Sequence, residues 1–361
     1  MVCWPKHLPW LKNMSSRITL FQNDRNWQQI RSQVQDLIEH DHLLGLAQNT
    51  QLVQRLESRL AERFDRKHCV TMASCTDALV VAMQVLDLPR RSWVGVSNYT
   101  FTASAHAIAR AGYIPIPIDT GADYCIDTDK ITGVKAVLAV DMFGNMSNWN
   151  ALDQLRIPVI NDAAQSLESH NSHAWSAKKG VISCVSFSPS KTVSSWGSGG
   201  ALLTDNKDIA DLARRLRLHG KIANDVPAIA PGMNSMMSNF EAACVWAGLD
   251  HSKAWQKRRA EIAGYLIKES SYTSAIDLSL SQHTHQKLVF QSNSRDRVLA
   301  QFKAAKIDCA VHYRTLVDDE SIYSRSSDVP VSTQLSKISF TVPNQHTLTD
   351  EEVERIAKEL I

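Results

Sequence analysis

Short apolar runs alternate with longer amphipathic stretches along most of the chain. Such runs, bounded by Gly, Pro, Ser or Asp, are typical of strands in a sheet that is covered on both faces. The alternation with helical stretches favours βαβ units, so the pattern predicts an α/β fold with a mainly parallel, seven-stranded sheet covered by helices. The runs are HCVTMA (68–73), WVGVS (93–97), IPIPI (114–118), KAVLAV (135–140), RIPVI (156–160), SCVSF (183–187) and GGALLT (199–204).

The helical periodicity also predicts how the chain is organised. The predicted helices cover 25–40, 51–64, 239–270 and 349–360, and Thr349 with Glu352 fits a capping box at the start of the last one. A loop containing Pro and Gly precedes the long third helix. We predict an N-terminal extension at 1–15, a large domain at 16–246 and a smaller α+β C-terminal domain at 247–361.

Net charge, the length of the apolar stretches and the cysteine spacing exclude several classes of function. The chain has 361 residues, is 44% hydrophobic and carries a formal charge of +2 from 39 basic and 37 acidic residues. This balance lacks the basic excess of nucleic-acid or membrane-surface proteins, and no stretch has the length of a signal or a membrane span. The seven cysteines form no CxxC pair, which disfavours a metal site and fits free thiols in a reducing compartment. We therefore expect a cytoplasmic protein that binds neither nucleic acid nor a membrane.

Lys191 is the only charged residue in the window VISCVSFSPSKTVSSWGSGG (181–200). Its neighbours in sequence are Ser, Gly and apolar residues, and it follows an apolar run. Burial lowers the pKa of a lysine, and a neutral amine can attack an aldehyde. Lys191 is therefore a candidate Schiff-base lysine, although a solvated loop lysine also fits the residue taken alone.

Asp162 comes directly after the run RIPVI, and no other charge lies between Arg156 and Glu168. Ligands in parallel α/β sheets bind beyond the carboxyl ends of the strands. A carboxylate there can keep a cofactor's pyridinium nitrogen protonated, or it can cap a following helix AAQSL. Gln165, one helical turn on, could reach the same ligand or lie exposed.

Hydroxyl residues mark a possible phosphate site. The stretch SCTDALVVAMQVL (74–86) starts a strongly apolar helix, and the N–H groups of a helix start favour a phosphate. Ser74 and Thr76 could add hydrogen bonds, and Ser186, five residues before Lys191, could donate to the same phosphate. Ordinary helix capping and tight packing explain these residues equally well in isolation. Phe101 follows another run and could stack on a flat ring or lie in the core.

These motifs, taken in order, resemble the DegT/DnrJ/EryC1/StrS aminotransferases. That family consists of fold-type-I pyridoxal-phosphate enzymes that act mostly on nucleotide-linked keto-sugars. The likeness is strongest over about residues 40 to 250. The motifs are SCTDAL, NYTFTASAHAIARAG, VDMFGN, VINDAAQSLES, SFSPSK, GSGGALLTDN, RLRLHGK and GMNSMMSNFEAA.

The resemblance implies roles for single residues. Lys191 matches the lysine that forms the internal aldimine with pyridoxal 5'-phosphate and then moves the proton. Asp162 matches the partner of the pyridine nitrogen, and Gln165 matches a residue near the ring hydroxyl. Phe101 matches the aromatic residue that stacks on the ring.

The resemblance also implies phosphate ligands and a shared site. Ser186 and Thr76 match phosphate ligands, and Asp77 matches a residue that contributes its backbone at the helix start. Asn234 matches an asparagine that reaches a cofactor phosphate in the neighbouring subunit, which implies a homodimer. His312 and Tyr313, in AVHYRTL, resemble a motif near the substrate, although strand-end packing explains them equally well.

Three residues depart from the family pattern. Cys75 stands where glycine is usual in the phosphate-binding turn, and Met236 stands where the pattern GxNxR has an arginine. Asn161 replaces a common acidic residue before Asp162. Cys75 departs from the pattern in the phosphate-binding turn. Met236 departs from it at the residue that usually contacts the substrate or the neighbouring subunit.

The implied reaction is amino transfer from an amino acid, by resemblance glutamate, to a nucleotide-linked keto-sugar. Pyridoxamine 5'-phosphate forms between the two half-reactions, so ping-pong kinetics are expected. The alternatives are a sugar dehydrase, an enzyme that forms an aminocyclitol or another aminated ring, and a catalytically inactive binding module. The dehydrases carry histidine at the lysine position, which Lys191 argues against.

Overall fold

The computed structural model describes residues 17–40, 51–222, 226–277, 279–323 and 328–361. The extension predicted at 1–15 lies outside these ranges. The strands are β1 (His68–Met72), β2 (Trp93–Ser97), β3 (Ile114–Ile118), β4 (Ala136–Val140), β5 (Val159–Asp162), β6 (Ile182–Ser186), β7 (Gly200–Thr204), β8 (Thr273–Ser274), β9 (Leu288–Gln291) and β10 (Ser339–Val342). The α-helices are α1 (Asn23–His40), α2 (Gln51–Arg63), α3 (Cys75–Gln84), α4 (Ala103–Arg110), α5 (Trp149–Leu152), α6 (Lys207–Arg217), α7 (Asn239–Glu269), α8 (Arg295–Ala304), α9 (Pro330–Ile338) and α10 (Asp350–Lys358).

The first seven strands form one sheet in the order β1-β7-β6-β5-β4-β2-β3. The pairs from β6 to β3 are parallel, and β7 runs antiparallel to both of its neighbours. Each predicted apolar run overlaps one of these strands, although β5 extends two residues past the run at 156–160 and β6 begins one residue before the run at 183–187. The predicted α/β fold with a mainly parallel, seven-stranded sheet is therefore confirmed.

Helices cover both faces of this sheet because successive strand residues point in opposite directions. In β7, Ala201 and Leu203 belong to the apolar cluster that includes α1, α2 and the start of α7. Leu202 belongs to the opposite cluster, which includes α3, α4 and α6. The carboxyl ends of β5 and β6 thus open between two apolar layers, where parallel α/β sheets bind their ligands.

A second sheet, ordered β10-β9-β8, lies in the C-terminal part of the chain. Helix α7 links the two cores, since Ala242 and Trp255 pack in the cluster of the large sheet and Ile262 packs with the second sheet. The predicted domain boundary at 246/247 falls within this helix and stays a prediction. Ile18 pairs with Ile307 beside the second sheet, so the segment before α1 packs against the C-terminal part.

Local signals account for the helix ends. Helices α1, α2, α7 and α10 lie where the periodicity predicted them, and Thr349 and Glu352 form the predicted capping box. Residues 164–168, by contrast, form turns rather than the short helix expected after Asp162. In the described part of the chain, no helix has both the length and the apolar character that crossing a bilayer demands.

Candidate active site

A cavity of about 400 Å³ opens beyond the carboxyl ends of the parallel strands. Most of the residues singled out in the sequence line it, and they come from five separate segments. The described residues at the cavity wall include Ser74, Thr76, Phe101, Asp162, Gln165, Ser186, Lys191, His312 and Tyr313. The fold therefore brings together side chains that lie up to 239 positions apart in the sequence.

Lys191 lies in the loop after β6, where its backbone N–H donates to the Ser188 carbonyl at 2.9 Å and closes a turn. Burial lowers the pKa of Lys191, while the charges of Cys75 and Asp162 act in the opposite direction. Its amine has no hydrogen bond or ion pair with any residue that the structure describes. A lysine in this setting has an enlarged neutral fraction and is free to act as a nucleophile.

Asp162 is the last residue of β5 and is buried. One carboxylate oxygen accepts from the Ser104 hydroxyl at 2.8 Å, and the other accepts from the Ala164 N–H at 3.1 Å. This second bond holds the chain in a turn, which explains why AAQSL forms no helix. Burial raises the pKa of Asp162, whereas these hydrogen bonds and the charge of Lys191 lower it.

The start of α3 forms one end of the cavity. Ser74 is the N-cap, and its hydroxyl accepts from the Asp77 N–H at 3.0 Å. The expected backbone donor of Asp77 is therefore already used within the helix start, and the Asp77 carboxylate accepts from Ser235 outside the cavity wall. The hydroxyls of Ser74 and Thr76 remain at the wall, next to a helix N-terminus that attracts anions.

Cys75 is accommodated at this helix start without backbone strain. It is the first residue of α3, is buried and does not have a positive φ. Gly200 of β7 passes directly behind it: a Cβ on Gly200 would lie 2.3 Å from the Cys75 backbone nitrogen. The departure at Cys75 is thus compatible with the turn, and the close approach depends on Gly200.

Gly200→Ala is expected to displace the start of α3. The added methyl group cannot fit against the Cys75 backbone, so we expect about 1–3 kcal/mol lower stability and at least about tenfold weaker binding of pyridoxal phosphate. Gly264→Ala is the matched control, because nothing lies within 4 Å of its new Cβ. Thermal unfolding and an absorbance titration with the cofactor measure both effects. Equal cofactor affinity in the two variants would contradict the role given to this turn.

Ser186 and Phe101 line the cavity on other sides. Ser186 ends β6, and its hydroxyl accepts from the Ser188 N–H at 3.4 Å while remaining at the wall. The Phe101 ring is 55% exposed, which is unusual for a core aromatic residue. Its centroid lies 5.8 Å from that of Tyr313 at a tilt of 40°, so one face is available for a flat ligand.

Gln165, Tyr313 and His312 connect the large sheet with the C-terminal part. The Gln165 amide donates to the Tyr313 hydroxyl at 3.2 Å, and its carbonyl accepts from the Phe143 N–H. His312 bonds through Nδ1 to the Thr341 hydroxyl at 2.9 Å, and burial lowers the pKa of His312 to about 3. A neutral His312 and the Tyr313 hydroxyl therefore present polar groups to a ligand without adding a charge.

Asn234 differs from the other predicted residues. It is exposed, pairs through a bridge with Leu218 and lies outside the cavity wall.

Asn161 is buried, and its amide donates to Asp141 at 3.3 Å and to the Ser176 carbonyl at 2.9 Å. An acidic residue at this position would face Asp141, whose pKa burial already raises to about 6. The amide at position 161 avoids that repulsion.

Among the wall residues that sequence reasoning did not single out, Phe21, Ser104 and Lys287 bear on the chemistry of the cavity. Ser104 lies three positions after Phe101 and orients Asp162, so its place after a strand end was the available signal. Lys287 is a single charge at the edge of the apolar run LVF. Phe21 precedes α1, and no local pattern connects it with the cavity.

The wall suits pyridoxal 5'-phosphate. It combines an amine without a partner at Lys191, a buried carboxylate at Asp162, hydroxyls at a helix start and an open aromatic face at Phe101. Asp162 is the only carboxylate among the described residues of the wall. The described residues contain no group of three or more His, Cys, Asp or Glu side chains that could hold a metal ion.

The sheet and the cavity at its carboxyl edge define an α/β enzyme of fold type I. A model of the DegT/DnrJ/EryC1/StrS aminotransferase family matches residues 27–361, and the chain belongs to this family. The resemblance inferred from the motifs is therefore confirmed, and with it the enzyme class, an aminotransferase.

Individual relatives agree with this membership. The chain is 26% identical over 349 residues to a UDP-2-acetamido-2-deoxy-3-oxo-D-glucuronate aminotransferase from Pseudomonas aeruginosa, covering 92% of this chain and 93% of the relative. A DegT DnrJ EryC1 StrS aminotransferase from Brucella abortus has the same fold, with a TM-score of 0.87, 22% identity and coverage of 94% and 98%. The ntda protein from Bacillus subtilis, solved with bound cofactor PMP, has a TM-score of 0.87, 20% identity and coverage of 96% and 84%.

Proposed function

We propose that this aminotransferase uses pyridoxal 5'-phosphate, bound through Lys191, to move an amino group from an amino acid to a nucleotide-linked keto-sugar. The observation that carries the proposal is that the Lys191 amine, which has no hydrogen bond or ion pair with the described residues, shares one cavity wall with the buried Asp162. The bound cofactor would supply an electron sink for the amino-acid carbanion. Glutamate is the donor that the resemblance implies.

The predicted residues at the cavity wall have stated tasks in this proposal, whereas the backbone N–H of Asp77 is already bonded to Ser74. Asp162 holds the proton on the pyridine nitrogen, and Ser104 keeps its carboxylate oriented. Ser74, Thr76 and Ser186 bind the phosphate beside the start of α3, where the helix dipole favours negative charge. Phe101 would pack on the ring of the bound cofactor, and Gln165 would bind near its hydroxyl.

Lys191 then acts as the acid–base group. With the cofactor bound, the Lys191 amine would take the proton from the donor's α-carbon and would deliver it to C4′ of the cofactor. Its lowered pKa leaves a larger fraction of neutral amine near neutral pH, which a proton acceptor requires. The second half-reaction reverses these moves on the keto-sugar.

The comparisons support the proposal of a nucleotide-sugar substrate, and the position of Asn234 supports the proposal of a homodimer. The Pseudomonas relative is named for a nucleotide-linked keto-sugar, so we propose a substrate of this class. The exposed position of Asn234, next to Ser235 near the start of α3, suits a residue that reaches the phosphate of a neighbouring subunit. His312 and Tyr313 are the proposed contacts to the substrate.

The visible absorbance of the cofactor-loaded protein tests the function. We expect a yellow band that bleaches when glutamate is added and returns when a keto-sugar nucleotide accepts the amino group. A panel of keto-sugar nucleotides and cyclic ketones separates sugar amination from the formation of an aminated ring. A protein that stays colourless after incubation with the cofactor would contradict the proposal and favour an inactive binding module.

A further inference from the structure

A second lysine shares the cavity with Lys191. Lys287 lies directly before β9, is only 8% exposed and contributes to the same wall. Its ammonium lies 5.1 Å from the centroid of the Phe21 ring. It makes no salt bridge with any acid among the residues that the structure describes.

Burying the charged form of a lysine costs desolvation free energy, and without an acidic partner no ion pair offsets this cost. Burial, together with the positive charges of Lys191 and Arg259, lowers the pKa of Lys287 to about 7. The charged or titratable groups described at this wall or beside it are Lys191, Arg259, His312, Cys75, Tyr313 and Asp162. Burial raises the pKa of Cys75 and of Tyr313, so Asp162 is the one acidic group among these described neighbours of Lys287.

Lys287 lies apart from the hydroxyls that suit a phosphate. Of the hydroxyls that suit a phosphate, those of Ser74 and Thr76 lie at the start of α3 and that of Ser186 ends β6. Lys287, by contrast, lies directly before β9 of the second sheet. The side chain of Gln286 donates to the Ser190 carbonyl at 2.9 Å, which fixes this segment next to the residue preceding Lys191. Lys191 and Lys287 line one cavity, so an anion bound by Lys287 would share that cavity with the reacting amine.

We propose that Lys287 binds a carboxylate of the amino-acid donor and thereby orients the donor amine toward Lys191. The inference rests on the proposed function, since every amino-acid donor brings a carboxylate to the reacting carbon. Asp162 is hydrogen-bonded to Ser104 and Ala164, so it does not compete for this cation. The Phe21 ring covers the ammonium and excludes water, which strengthens the pair.

Calorimetric titration of the cofactor-loaded protein with glutarate tests the contact. Glutarate has the donor's carboxylates but no amine, and its uncharged diamide is the matched ligand. We expect Lys287→Met to weaken glutarate binding about 10- to 100-fold and to leave the diamide unchanged. Lys287→Arg keeps the charge and should bind within a few-fold of wild type. The control Lys207→Met removes an exposed lysine on α6 that pairs with Asp211, and it should have no effect.

The pH dependence gives a second, independent readout. Because Lys287 loses its proton as the pH rises through about 7, glutarate affinity of the wild type should fall between about pH 6.5 and pH 8.5. The guanidinium of Lys287→Arg stays protonated, so its affinity should remain constant over this range. The difference in pH dependence between the wild type and Lys287→Arg tests the role of Lys287 even if Lys287→Met does not fold.

The outcomes separate this inference from the proposed function. A colourless wild type overturns the function itself. A yellow wild type that binds glutarate no better than the diamide overturns the inference about Lys287 alone. Equal losses of glutarate and diamide binding in Lys287→Met would show a packing role and would also overturn it.

Discussion

Lys191→Ala is expected to lose at least about 1000-fold in amino-transfer rate, because the variant lacks both the nucleophile and the proton carrier. Its side chain makes no hydrogen bond or ion pair with the described residues, so its removal should change stability little. Single-turnover absorbance changes with glutamate measure the rate. Thermal unfolding of the same sample reports the stability.

Lys191→Arg separates charge from nucleophilicity. The guanidinium keeps the positive charge at the same place but stays protonated and cannot attack an aldehyde. We therefore expect Lys191→Arg to be as inactive as Lys191→Ala, while the surface control Lys207→Ala keeps wild-type turnover. An active Lys191→Arg would show that the cavity needs only a positive charge there.

Asp162→Ala is expected to reduce the rate on the order of 100-fold or more while leaving part of the cofactor bound. The substitution removes the charge that would keep the pyridine nitrogen protonated. Asp162→Asn keeps the shape of the side chain and should lose a similar factor, since the charge is what matters. Steady-state kcat and bound cofactor, measured on the same preparations, separate the two effects.

Ser104→Ala is the graded comparison for this prediction. It removes the 2.8 Å hydrogen bond to Asp162 and leaves the carboxylate in place. We expect a loss of only a few-fold, together with a raised pKa of Asp162, because the bond to Ser104 stabilises the ionised form. An Asp162→Asn variant with wild-type kcat would contradict the role of the carboxylate.

Local sequence patterns were sufficient to predict the large sheet and the edge at which it binds ligands. Each strand of the large sheet is a short apolar run, so periodicity and flanking turn residues were sufficient to find it. Asp162 and Ser186 end neighbouring strands β5 and β6, which made their proximity predictable from the parallel order alone. Lys191 followed from its place in the loop after β6.

The remaining features depend on contacts that no local pattern encodes. Asp162 accepts from the Ala164 N–H, and this bond replaces the expected helix by turns. The Asp77 N–H is taken by Ser74, which only the cap geometry could reveal. Lys287 and Phe21 reach the cavity through packing of the second sheet and the segment before α1, over separations that sequence spacing does not report.

Borohydride reduction of the cofactor-loaded protein, followed by peptide mapping, tests the central claim most directly. Reduction fixes the bond between the cofactor and its lysine, so one peptide gains the mass of the reduced cofactor. The account predicts that label on Lys191 and none on Lys287, although both lysines line the same cavity. Label on Lys287, or an unlabelled Lys191 in yellow protein, would contradict it.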